Sequence, residues 1–219
     1  MGVPARTPIL DRVCARVSWC RRDVLQALLD LAIEIAREGR EGRRIGTLFT
    51  LGRAEAVLSR SRPLILDPLA GHAPHATRIF DGNLRGTVKE LAQLDGAFVV
   101  SEDGTVQAAC RYLDAAVEDI DVPLGLGSRH LAAASVSKRL GVVAIVVSES
   151  AIVRVFHAGE LIAEIIPELW LLRRHIQPQP RGWNAGQPAD ELSIFTMDEA
   201  SSTGDVRRRS AADPADREG

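Results

Sequence analysis

The chain has 219 residues, 46% of them hydrophobic, which is enough for one filled core with short flanking segments. Lys and Arg number 27 against 29 Asp and Glu, a formal net charge of −2. No global field therefore draws the chain to nucleic acid or an anionic membrane, and neither is expected as a partner.

Cys14, Cys20 and Cys110 show no metal-ligand spacing and read as reduced thiols. No apolar run approaches the ~18 residues of a membrane span, and the start Met1-Gly2-Val3-Pro4 lacks a signal-peptide pattern. The expected location is the cytoplasm.

Residues 1–22 read as an N-terminal extension. From Asp23 to Glu38 the apolar Val24, Leu28, Leu31 and Ile35 recur at helical spacing, with Asp23 as the expected cap and Gly39 as the stop. Ile45 to Leu51 is short, β-prone and closed by Gly52, the pattern of a buried strand. Between Leu58 and Arg85 the chain is rich in proline, glycine and histidine, and only Pro63-Leu64-Ile65-Leu66 reads as a strand.

A short helix is expected from about Thr87 to Leu94, followed by a strand at Ala97 to Ser101. Asp103-Gly104 then turns that strand back into Val106 to Leu113, since Asp-Gly between apolar runs marks a hairpin. After a glycine-bearing loop, His130 to Leu140 reads as a helix ended by Gly141. Val142 to Val147 is a continuous apolar run, as in a strand covered on both faces. Ile152 to Phe156 and Leu161 to Ile166, joined through Ala158-Gly159, make a closing hairpin. The expected class is α/β, a mixed central sheet flanked by helices, over residues 23–175. Residues 176–219, with their prolines and the run Arg207-Arg208-Arg209, read as a flexible tail.

Three places combine polar chemistry with tight backbone. At Leu94-Asp95-Gly96-Ala97 a carboxylate precedes two residues with almost no side chain, so a ligand can press against backbone while Asp95 holds a cation or polarises a hydroxyl. Taken alone, Asp-Gly is more often just a turn. At Gly125-Leu126-Gly127-Ser128-Arg129-His130 a glycine-bearing loop enters a helix, where free N–H groups, a hydroxyl and a guanidinium favour an anion; a plain helix cap remains the alternative. At Ser148-Glu149-Ser150 polar residues follow the most apolar strand, a position where ligands bind or a hairpin simply turns.

Asp95-Gly96-Ala97, Gly127-Ser128-Arg129-His130 and Ser148-Glu149, in this order, resemble the Asp-Gly-Ala, Arg-His-Arg and Ser-Glu motifs of the diadenylate cyclase family, the DisA N-terminal type. The likeness covers roughly Asp23 to Ile166. It implies two ATP molecules held by facing copies of the domain, in a homodimer or higher oligomer, and joined into cyclic di-AMP with Mg²⁺ or Mn²⁺. By position, Asp95 would activate the 3′-hydroxyl and, with His130, hold the metal. Ser128 and Arg129, with Gly127, would bind phosphates; Gly96, Ala97 and Leu113 would line the nucleotide; Ser148 and Glu149 would complete the triphosphate and metal region. Leu131 stands where the family usually carries its second arginine, which removes five donors and a positive charge. That departure motivates a second reading, a regulatory module that binds ATP or cyclic di-AMP with weakened catalysis.

Overall fold

The computed structural model describes residues 8–114, 120 and 125–175. Helix α1 spans Pro8–Arg16 and α2 spans Arg22–Glu38. The periodic residues of α2 are all buried, and Leu25, Leu29, Ala32, Ile33 and Ala36 widen the apolar stripe, as suits a helix covered by other elements as well as by a sheet. Gly39, at φ 57°, ends it by donating its N–H to Ile35. The start differs from expectation. Arg21 is the cap residue, while Asp23 lies in the first turn and accepts from Arg21 Nε at 3.1 Å. Asp23 thus favours the positive helix end by charge rather than by capping.

Strand β1 is Thr47–Leu51, α3 is Ala54–Ser59, β2 is Ser61–Pro63, α4 is Gly82–Leu91 and β3 is Ala97–Val100. Then come β4, Val106–Leu113; α5, Ser128–Leu140; β5, Val143–Val147; β6, Val153–His157; β7, Glu160–Ile165; and α6, Pro167–His175. The strands form one sheet in the order β2-β4-β3-β1-β5-β6-β7. Only β1 and β3 run parallel, and the other neighbours are antiparallel, so the sheet is mixed and flanked by helices, as expected.

Strands β1, β3 and β5 are buried along their whole length because helices cover both faces. On one face α1, α2, α4 and α6 enclose Phe49 and Phe98, whose rings stack at 5.0 Å. On the other, α3 and α5 cover Leu48, Val99, Ala144 and Val146. The expected extension at residues 1–22 therefore contributes to the core, since Ile9, Leu10, Val13 and Val17 are buried in it. Residues 176–219, read as a tail, lie outside the described residues.

Two expected elements are shifted. The strand expected at Pro63–Leu66 is instead Ser61–Pro63, and Leu66 is 94% exposed. Its partner β4 bulges at Cys110, which takes φ 53°, so the ladder stops at the Pro63–Arg111 pair and the Asp67 carboxylate then receives Leu69 N–H. The helix expected at Thr87–Leu94 begins five residues earlier because Asp81 caps it, accepting from Asn83 and Leu84 N–H at 2.8 and 3.1 Å.

The cysteines are unbridged, and burial, reinforced by neighbouring Cys14, pushes the Cys20 thiol up to about 12. No helix among the described residues is long and apolar enough to cross a membrane.

Gly52, at φ 92°, follows β1 where a Cβ would fall 2.2 Å from the Trp19 ring. Gly52→Ala is expected to lower the urea midpoint, at a cost of about 1–3 kcal/mol. Adding Trp19→Leu should recover only part of that loss, because the backbone strain remains; equilibrium unfolding of the two variants checks both statements.

Candidate active site

One end of the sheet collects the polar motifs. Because β1 runs parallel to β3 and antiparallel to β5, Leu48 pairs with Ala97 and Thr47 with Val147. The residues just outside these pairs, Gly46, Asp95-Gly96 and Ser148-Glu149, therefore meet at that end. Strand β4 finishes there at Leu113, and β6 starts there at Val153. The N-terminus of α5 joins them, with Gly127 in extended backbone as the cap residue.

The joining side chain is Arg129. Its Nη2 donates to Asp95 Oδ1 at 3.1 Å and its Nη1 to Glu149 Oε1 at 3.0 Å. The guanidinium fits because Gly46 has no side chain: a Cβ there would lie 2.5 Å from Nη1 and 3.2 Å from Glu149 Cγ. Gly96 is constrained in another way. It takes φ 109°, and a Cβ would meet the Cys110 carbonyl carbon at 2.6 Å, so Asp95 is followed by a residue that only glycine can be.

Gly127, Ser128, Arg129, His130, Ser148 and Glu149 line one cavity of about 350 Å³, together with Arg154. Six of the expected site residues are thus brought together, and Asp95 reaches them through Arg129. Gly96, Ala97 and Leu113 do not line this cavity. Ala97 and Leu113 are buried in the core on the α5 face, and Leu113 lies three strand spacings from β5, roughly 14 Å. The free N–H groups at the start of α5 make the cavity suitable for an anion.

His130 is 7% exposed, packs edge-on against Phe156 and pairs its Nε2 with Arg154 Nη1 at 3.2 Å. Arg154 in turn donates from Nε to Glu164 at 2.6 Å. Burial, with Arg154 and Arg129 nearby, pushes the imidazole down to about 4, so it is neutral at pH 7. Motif and spacing passed over Arg154 and Glu164. The available signal was a charge at an inward-facing position of an apolar hairpin, which has to be paired.

Asp95 and Glu149 are donors of the type a divalent cation takes, for Mg²⁺ and Mn²⁺ sites commonly use one or two carboxylates and leave the remaining positions to phosphates and water. Both side chains are well exposed, at 84% and 68%. The expected metal role of His130 does not fit this arrangement. Its Nε2 faces a guanidinium and its Nδ1 is buried away from solvent. No group of three His, Cys, Asp or Glu among the described residues forms a complete cation cage.

The depressed imidazole also sets a pH dependence. Above the unfolded value of about 6.5 both states are neutral and the full stability is present. As pH falls from 6.5 towards 4 the unfolded chain gains a proton that the folded one refuses, so stability drops, on the order of 2 kcal/mol for this group. His130→Gln is expected to flatten that part of the curve, as read by urea midpoints at pH 7, 6, 5 and 4.

Residues 34–161 match the family model described as DisA bacterial checkpoint controller nucleotide-binding. A diadenylate cyclase of Methanocaldococcus jannaschii is 46% identical over 153 residues, which is 69% of this chain and 48% of the relative. One of Haloferax volcanii is 37% identical over 150 residues, 67% of this chain and 54% of the relative. The chain therefore spans about half the length of these relatives. A crystal structure of DacA from Staphylococcus aureus resembles it with a TM-score of 0.44 and 21% identity, over 70% of this chain and 95% of that one. With the family model covering more than half of the sequence, the chain belongs to the DisA-type diadenylate cyclase domain family.

Proposed function

We propose that the chain condenses two ATP molecules into cyclic di-AMP and releases two pyrophosphates, with each ATP held by one copy of the domain in a homodimer or larger cytoplasmic assembly whose sites face each other. The observation that carries this reading is the guanidinium of Arg129 held between two exposed carboxylates beside an anion-ready helix N-terminus. Phosphoryl transfer calls for that combination: charge to bind the phosphates and a carboxylate near the attacking hydroxyl.

In the reaction, the 3′-oxygen of each ATP forms a bond to the α-phosphorus of the other, and the bond from that phosphorus to pyrophosphate breaks. Asp95 takes the hydroxyl proton. Gly127 and Ser128 bind phosphate oxygens through the α5 N-terminus, and Arg129 trades a carboxylate contact for a phosphate. Ser148 closes the triphosphate region. Gly96, Ala97 and Leu113 border the nucleoside, and the roughly 14 Å between β4 and β5 suits a ligand with a base at one end and a triphosphate at the other. Mg²⁺ or Mn²⁺ on Asp95 and Glu149 would supply further charge neutralisation and a more acidic hydroxyl. One domain presents one ATP, so a second copy must present the other.

Leu131 favours the second reading, an ATP- or cyclic di-AMP-binding regulatory module. Incubation with ATP and Mn²⁺ followed by product analysis separates the two. Turnover by the wild type that Asp95→Asn lowers by about 100-fold or more supports the cyclase. An inert wild type that gains activity through Leu131→Arg supports the module.

Gly46→Ala tests the Arg129 clamp. The added methyl meets the far end of a flexible side chain, so Arg129 moves while the fold stays. Cyclic di-AMP formation is expected to fall by about 10- to 100-fold with an unchanged melting temperature.

A further inference from the structure

Arg154 belongs to none of the motifs, yet it is the most enclosed guanidinium of the cavity. Its side chain is 11% exposed, and it shares the cavity wall with Gly127, Ser128, His130 and Glu149. It comes from β6 at the site end of the sheet, paired across to Val146. Burying a guanidinium costs several kcal/mol unless its donors are used.

The fold uses two of them. Glu164, directly opposite on β7, accepts from Nε, and His130 Nε2 receives Nη1. A guanidinium carries five N–H donors, and Arg154 makes no other hydrogen bond among the described residues. The remaining donors, including both of Nη2, belong to a side chain that lines the cavity.

Arg129 differs in this respect, because both of its arms already hold carboxylates. Leu131 adds no cation and does not line the cavity. A triphosphate entering the cavity thus meets Arg154 as the guanidinium with open donors. Glu164 behind Nε and neutral His130 beside Nη1 hold its planar fork in one orientation, as bidentate phosphate binding requires.

We infer that Arg154 binds the triphosphate of ATP and supplies, from β6, the positive charge that Leu131 withholds from the first turn of α5. The inference rests on the cyclase reading and adds a residue to its site. It separates a phosphate contact from a strut: if Arg154 only pairs Glu164, removing either partner should have the same effect.

The test is calorimetric titration of the full chain with ATP and with adenosine, in EDTA so that binding is read without turnover. For Arg154→Gln, ATP affinity is expected to fall about 10- to 100-fold while adenosine affinity stays within about threefold. For Glu164→Gln, ATP affinity should hold or tighten, since a competing carboxylate is gone. Adding Leu131→Arg to Arg154→Gln should recover at least about tenfold in ATP affinity. The assignment is overturned if Arg154→Gln leaves ATP affinity unchanged, weakens ATP and adenosine alike, matches Glu164→Gln in its loss, or gains nothing from Leu131→Arg. A wild type that binds no ATP removes the cyclase reading and this inference with it, whereas a wild type that binds ATP as well as Arg154→Gln does removes the inference alone.

Discussion

The contact on which the site depends is Arg129 stretched between Asp95 and Glu149. Its three residues come from the start of α5, the approach to β3 and the exit of β5, far apart in sequence. They meet because β1 lies between β3 and β5, parallel to one and antiparallel to the other, which sets the beginning of β3 and the end of β5 on either side of the beginning of β1. Gly46 stands at that beginning, and its missing side chain is the space the guanidinium occupies. A change in the register of β1 would move Gly46 away and put Thr47 in its place.

This contact does little for stability. Both carboxylates are largely exposed, and ion pairs in water contribute about 0–1 kcal/mol. Fold stability lies in the wholly buried β1, β3 and β5 and in the two apolar layers around them. The weakness is useful for binding, because a phosphate oxygen can displace a carboxylate from Arg129 at small cost. Arg154 is the opposite case. Its pair with Glu164 is largely enclosed, so the guanidinium keeps its position whether or not a ligand is bound. The cavity therefore combines one cation that exchanges partners with one that is fixed.

Periodic and local features were legible in the sequence. The spacing of Val24, Leu28, Leu31 and Ile35 identified α2, Asp103-Gly104 identified the β3–β4 hairpin, and the uninterrupted run to Val147 identified β5 as a strand covered on both faces. The three polar motifs were legible because each sits where an element begins or ends. Features that depend on pairing were not. The bulge at Cys110 cuts short a strand that Leu64, Ile65 and Leu66 are suited to form by composition, and the Asp81 cap moves α4 towards the N-terminus. Helix α1 shows the opposite failure: Ile9, Leu10, Val13 and Val17 carry a helical spacing, but the short segment reads as an extension until α2 is there to receive it. The clamp over Gly46 and the partnership of Arg154 with His130 depend on strand order, which no single stretch of sequence encodes.

His130 shows how these levels combine. The motif suggests a metal ligand, but the fold turns the ring inward against Phe156 and brings Arg154 to its Nε2. A guanidinium can only donate, so Nε2 must accept, and the ring proton then resides on Nδ1. Nδ1 is buried, and the backbone of Gly127 is a weak partner of the ring. Moving the ring proton to Nε2 instead would bring an N–H against the Arg154 donors. Burial, together with the two cations that a proton on both nitrogens would place 3.2 Å apart, holds the imidazole down to about 4. The fold thus keeps a neutral acceptor beside Arg154. The histidine of the motif acts here as a support for a cation from another strand.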